Sequence, residues 1–325
     1  MRLSRRAFGG IAIGALTAAC TSKVTDAISD PTSAAGVKLG VCVGSYRDIP
    51  RGDDQQAYIS ALAQACATSG AGLVEYHSSQ LEPATRLYAR AARGEPPLPE
   101  LTPEEFETLR EERRRWRTET PVSYFQSVRS AFEAAGTTPF CYSFNFTNDM
   151  TDAEIEAVFV ATRALGAGVI STNAAKVEIA PRLAPFADRH ELDLGFHNHS
   201  NSEDPNEVGS EESFERVFEA SPRCKANLDV GHYVAGNGDP IAFIERHHAR
   251  ITHLHFKDRS PNKGPNMPWG QGETPLKEVL LLIKKNRYDI PCLVEYEYYG
   301  YPGTGGSVEE NRKCLEFMRS VLLEA

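Results

Sequence analysis

The chain has 325 residues, 41% hydrophobic and 24% charged, with 35 Lys and Arg against 44 Asp and Glu for a formal charge of −9. This is ordinary globular composition at a length that fits one large domain. The acid excess argues against a nucleic-acid partner, because phosphate affinity needs basic surface.

Residues 1–19 carry three arginines and no acids, so without them the charge falls to −12. Within them Ser4-Arg5-Arg6-Ala7-Phe8 resembles a twin-arginine signal, and Gly9 to Ala19 is a small-residue apolar run too short to span a bilayer. Leu16-Thr17-Ala18-Ala19-Cys20 resembles a lipoprotein box, with Leu16 one position further out than usual. The expectation is export by the twin-arginine route as a periplasmic or membrane-anchored lipoprotein, touching the membrane only through a lipid on Cys20. Residues 20–36 are expected to form a tether, and residues 37–325 one domain. Cys42, Cys66, Cys141, Cys224, Cys292 and Cys314 form no CxxC pair and are expected as small buried hydrophobes, not a disulfide framework.

Apolar runs bounded by turn residues predict strands at Lys38–Tyr46 and Leu73–His77, with a helix from Asp53 to Ala67 between them. An insertion at about 78–119 follows, with a Pro-rich break and a charged helix Glu104–Arg117. Its run Glu111-Glu112-Arg113-Arg114-Arg115 is expected on a solvated face. Helix Val122–Ala135, strand Pro139–Asn145, a helix from Asp152 to about Gly166 and strand Gly168–Thr172 come next. Then come helix Pro181–His190, strand Leu194–His199, helix Ser210–Glu219, a strand from Asn227 to His232, helix Asp239–His248 and strand Ile251–Asp258. A Gly/Pro/Asn loop from Ser260 to Thr274, helix Pro275–Arg287, strand Leu293–Glu297 and helix Val308–Leu323 close the chain. Eight strand–helix alternations predict a parallel sheet closed by right-handed crossovers, a (β/α)8 TIM barrel in the α/β class.

Four of these strands carry chemistry at period two. Side chains alternate faces along a strand, so His253, His255 and Lys257 share one face while Leu254 and Phe256 take the other. The same alternation groups Asn227 with Asp229, Glu295 with Glu297, and His197 with His199. A lone buried histidine is more often a satisfied core residue than a ligand. Four strands with the same pattern point instead to a site at the C-terminal mouth of the barrel. Oxygen and imidazole donors without thiolates suit Mn, Mg, Co, Zn or Fe(II).

The motifs Asp229-Val-Gly-His232, His253-Leu-His255-Phe-Lys-Asp258, Trp269-Gly-Gln-Gly272 and Val294-Glu295-Tyr-Glu297 resemble the xylose-isomerase-like TIM barrels, from about Lys38 to the C-terminus. The resemblance implies one divalent metal ion (Mn, Co, Mg or Zn) held by Glu, Asp, His and a second Glu. Asp229, His255 and Glu295 match three of these ligands. The position of the remaining Glu looks like Gly195, and His197, two residues on, is expected to take its place, with His199 the runner-up. Catalytic roles are expected for Glu295, His197 and His232. Substrate contacts are expected from His232, His199, Lys257, Arg259 and Trp269, with Tyr46, Glu75, His77 and Asn145 as further candidates near the mouth. The implied function is a sugar isomerase or epimerase that removes a proton alpha to a carbonyl through an enediolate. Two alternatives stand beside it: a lyase or dehydratase acting on 3-keto-glycosides or inososes, and a non-catalytic sugar-binding lipoprotein. In each case the partner is a small-molecule sugar.

Overall fold

The computed structural model describes residues 31–88, 98–172 and 176–324. The expected signal, Cys20 and most of the expected tether therefore lie outside the described residues. Eight strands form the barrel: β1 (Val37–Cys42), β2 (Leu73–His77), β3 (Thr138–Ser143), β4 (Val169–Thr172), β5 (Asp193–His197), β6 (Cys224–Asp229), β7 (Ile251–Phe256) and β8 (Cys292–Val294). All neighbours pair in parallel, and β1 pairs with both β8 and β2, so the sheet closes on itself. The predicted (β/α)8 TIM barrel is the observed fold. Residues 31–36, expected in the tether, join it: Ser33–Ala34 pairs antiparallel with Val37–Lys38.

The outward faces supply the core that the helices cover, including Leu39, Val41, Tyr76, Phe196, Leu228, Leu254, Phe256 and Val294. Helix starts are set locally. Asp54 and Asp239 cap the helices that follow them, and Thr102 and Thr151 form capping boxes with Glu105 and Glu154. The six cysteines expected inside are free and buried.

Two local expectations need correction. The run from Asn227 to His232 is not one strand: β6 stops at Asp229, whose Oδ1 accepts the backbone N–H of His232 (2.6 Å) and starts helix Val230–Ala235. Gly231 lets that helix sit against the chain after β7, since a Cβ there would lie 2.4 Å from the Lys257 carbonyl oxygen. The charged helix, observed at Pro103–Glu119, is not solvated on every charged side. Arg110 and Arg113 are buried and, with Arg117, pair with Glu82 and Glu154. Positions 110, 113 and 117 fall on one helical face, and the acids that turn this face inward come from other segments.

Candidate metal centre

The site is assembled where the strands end. β5 delivers His197 and β6 delivers Asp229. β7 delivers His255 from within its ladder, and Glu295 follows immediately after β8. Register brings them level, for Asp229 stands opposite His255 and His255 opposite Leu293. Asp229 is fixed from behind by Asn198, which accepts its backbone N–H (2.8 Å) and donates to its carbonyl (3.1 Å).

One donor atom from each of His197, Asp229, His255 and Glu295 lies within 4.8 Å of the others, and all four residues are buried. His197 Nε2 stands 3.5 Å from Asp229 Oδ2 and 3.6 Å from Glu295 Oε2, while His255 Nδ1 is 3.1 Å from Glu295 Oε2. Both ring nitrogens of His197 and Oδ2 of Asp229 are buried without a hydrogen-bond partner in the protein. Atoms about 2.0–2.2 Å from a shared divalent ion sit roughly 3–4 Å from each other, as these do. Buried polar atoms left unpaired are costly, and a cation among them removes the cost. The residues fit a divalent metal.

The electrostatics agree. Three carboxylates crowd one ammonium: Lys257 Nζ lies 3.3 Å from Asp229, 2.9 Å from Glu295 and 2.7 Å from Glu297. Burial opposes ionisation of Glu295, but the charges of Lys257 and His255 hold its carboxyl well below the usual range. Burial likewise opposes a charged His255, yet Glu75 and Glu295 hold its proton up to about 10. Burial, reinforced by Lys257, pushes His232 far down, so its imidazole is neutral.

Around this centre the remaining predicted residues divide. His232 lies 3.1 Å from Lys257 Nζ and 2.5 Å from an Arg259 nitrogen, so these three form one rim. His199 packs its ring 5.2 Å from His197 but turns Nδ1 to Glu207 (3.2 Å); His197, not His199, is in the cluster. Trp269 is not gathered at the mouth: it packs on Phe256 and Phe317, an outward face and the last helix. Tyr46 is fully buried with its hydroxyl on Ser69, and His77 holds Ser79 (2.7 Å). Asn145 is exposed. Gly195 has no room for a carboxylate, since a Cβ there would meet Thr252 Oγ1 at 2.4 Å. Asn198 was not foreseen as a support, although its place between two histidines was a signal. Glu297 also holds Arg47 (2.7 Å), a contact that no local pattern announces.

Comparison with known proteins adds a family. Residues 130–321 match the family described as xylose isomerase-like TIM barrel. An inosose dehydratase of Bacillus velezensis is 33% identical over 79 residues, 24% of this chain and 25% of that protein. The chain thus spans about a quarter of the length of that curated relative. Among solved structures, the IolI protein with a bound zinc atom superposes with a TM-score of 0.57 at 13% identity, covering 87% of this chain and 98% of that one. A D-psicose 3-epimerase crystallised with D-fructose gives 0.59 at 15% identity, covering 88% and 99%. At these identities the two structures establish the shared fold.

Proposed function

The chain belongs to the xylose isomerase-like TIM-barrel family, and from that premise we propose a divalent-metal-dependent enzyme that isomerises or epimerises a sugar or keto-sugar by removing a proton alpha to its carbonyl. The observation that carries this reading is the convergence of His197, Asp229, His255 and Glu295 with ligand atoms left unpaired. When bound, the metal supplies Lewis acidity, polarising a carbonyl oxygen so that the neighbouring C–H becomes acidic.

The side chains supply the rest. Glu295 is ionised in a buried setting and is the base for that proton. The C–H bond breaks to Glu295, its electron pair forms the C=C of the enediol, and the carbonyl oxygen gains charge. Lys257, between Glu295 and Glu297, holds the base carboxylate ionised and in place. His232, whose ring nitrogens meet Lys257 and Arg259, lines the rim that receives the substrate oxygens and would exchange a proton there only on leaving one of these partners. Return of the proton to carbon completes isomerisation, and mass is conserved.

One observation favours elimination as a second reading. Where the resemblance implies a Glu, position 195 is closed and His197 faces the site instead. With no carboxylate at position 195, Glu295 is the one carboxylate base, which suits removing one proton while a leaving group departs from the neighbouring carbon. The inosose dehydratase similarity is consistent with that outcome.

The test is elemental analysis before and after dialysis against a chelator, followed by incubation with keto-sugars, inososes and 3-keto-glycosides under mass spectrometry. One equivalent of metal and chelator-sensitive turnover support the enzyme; product of unchanged mass marks isomerisation, and loss of water or an aglycone marks elimination. Sugar binding that survives chelation without turnover would leave the binding lipoprotein. For location we propose export with a lipid on Cys20, tested by membrane fractionation of wild type against Cys20→Ser; equal release of both into the soluble fraction would refute it.

A further inference from the structure

The interior of a TIM barrel is ordinarily filled by branched apolar side chains. Here β2 places Glu75 inside, fully buried, at a position facing β7 across the barrel. Its Oε2 lies 2.9 Å from His253 Nε2 and 2.7 Å from His255 Nε2. His253 is held in turn at its other ring nitrogen by Thr252 Oγ1 (2.9 Å). A carboxylate is an acceptor only, so each imidazole must present N–H to it at Nε2. His255 Nδ1 faces Glu295 Oε2 at 3.1 Å among the donor atoms, so it too presents N–H to a carboxylate here; a cation bound there would displace that proton and leave the one on Nε2.

We propose that Glu75 is a positioning residue for the metal centre, fixing the proton of His255 on Nε2 and the ring plane so that Nδ1 is the atom offered to the metal. The proposal rests on the metal reading above. Such a carboxylate–imidazole pairing orients the ligand and raises its basicity, and its loss typically costs about 10–100-fold in metal affinity. His253 serves as the second arm: it holds the same oxygen from the other side, so the carboxylate cannot swing away from His255. The column Thr252–His253–Glu75–His255 therefore links the barrel interior to the mouth. Glu75 is not proposed as a ligand itself, although Cys42 and Cys141 lie close enough to form triads with it and His255 or His253. Its Oε2 is engaged by two imidazoles at hydrogen-bond distance, the geometry of a proton acceptor shared by two donors, while its Oε1 is buried without a hydrogen-bond partner, so the zinc stoichiometry decides whether it also binds metal.

The experiment uses the full chain with ¹⁵N-labelled histidine. In the wild type, His255 Nε2 is expected to carry a proton with a strongly downfield, exchange-protected resonance, with or without metal, and chelator competition with Zn(II) should give one equivalent bound. Glu75→Gln should move that resonance upfield and weaken Zn(II) binding 10–100-fold while the circular dichroism of the fold is kept. A bare Nε2 in the wild type overturns the proposal, as does a Glu75→Gln protein with unchanged affinity. A second equivalent of Zn(II) that disappears in Glu75→Gln also overturns it, because Glu75 would then be a ligand. If the variant does not fold, the wild-type Nε2 resonance still decides. A wild type that shows the protected Nε2–H but binds no divalent ion keeps the positioning role and sinks the metal reading instead.

Discussion

Among the described residues, two buried clusters of charge differ in how completely they satisfy themselves. Beneath helix Pro103–Glu119, Arg110 grips Glu154 through two bonds (2.8 and 3.0 Å), and Arg117 reaches both Glu82 (2.9 Å) and Glu154 (3.3 Å). Every oxygen of Glu82 and Glu154 accepts a guanidinium or backbone N–H. At the barrel mouth, carboxylates outnumber buried cations, and His197 and Asp229 keep donor atoms without a hydrogen-bond partner in the protein, Asp229 Oδ2 meeting Lys257 only as an ion pair at 3.3 Å. Burial and charge are common to both clusters. What sets the second apart is that its unpaired atoms are carboxylate and imidazole donors converging on one point, whereas in the first every carboxylate oxygen is bonded and only Arg114 Nε, 3.6 Å from Glu154, lacks a hydrogen bond.

Removing one metal-facing charge should break the comparison most. Asp229→Asn keeps an N-cap for helix Val230–Ala235, because asparagine caps as well as aspartate does. The protein should fold, bind no stoichiometric metal and lose turnover to the assay limit, read by elemental analysis and product formation. Wild-type protein stripped by chelator should lose stability by about 2.7 kcal/mol relative to protein holding free metal at about a hundred times its Kd. Full metal content in Asp229→Asn would remove Asp229 from the site.

The self-satisfied cluster should respond in the opposite way. Glu154→Gln removes the charge that Arg110 and Arg117 share, leaving Arg110 with Asp149 and Arg117 with Glu82, and should cost about 1–3 kcal/mol of stability. Its metal content and its turnover per folded molecule should equal those of the wild type. Denaturant unfolding paired with elemental analysis checks both halves, and a loss of metal without a loss of stability would reverse the roles assigned here.

How much of this was legible in the sequence depends on how far each signal reached along the chain. The period-two alternation in β5, β6 and β7 is local, so the barrel and the inward direction of His197, Asp229 and His255 could be read directly. Glu75 was visible only as an acid at the end of a strand. Its partners lie at positions 253 and 255, on the far side of the barrel, and nothing in a linear sequence pairs them. Arg113 was misread for the same reason, because Glu82 decides its burial. The error at Asp229–His232 was different: valine and histidine extend a strand pattern, but the aspartate carboxylate caps the next turn first. Pattern gives faces; long-range partners and caps decide which face is solvated and where a strand stops.

A smaller effect should come from the loop after β7. Asp258 gathers the backbone N–H groups of Gly270 (2.8 Å), Gly272 (2.9 Å) and Thr274 (3.1 Å), which is why the Trp269-Gly-Gln-Gly272 motif is glycine-rich. A Cβ at Gly272 would lie 2.3 Å from Asp258 Oδ1, a side chain too firmly held to yield. Gly272→Ala should cost about 1–3 kcal/mol by overpacking while metal affinity stays within a factor of two. If it instead abolished metal binding, the loop would belong to the metal centre and not to its surroundings.

The smallest effect expected is at Trp269. Sugars stack on aromatic faces, and the sequence alone suggested such a role. In the structure the ring is spent on packing, 6.2 Å from Phe256 and 5.7 Å edge-on to Phe317, and its Nε1 is buried with no acceptor in the protein. Trp269→Phe removes an unpaired donor and keeps an aromatic ring, a change that is nearly neutral when no bond is lost. Stability should move by less than about 0.5 kcal/mol, and KM for whichever sugar is turned over should be unchanged. A KM raised tenfold at constant kcat would mean that the indole meets substrate after all, and would bring the loop back into the site through its side chain where Gly272→Ala tests it through its backbone.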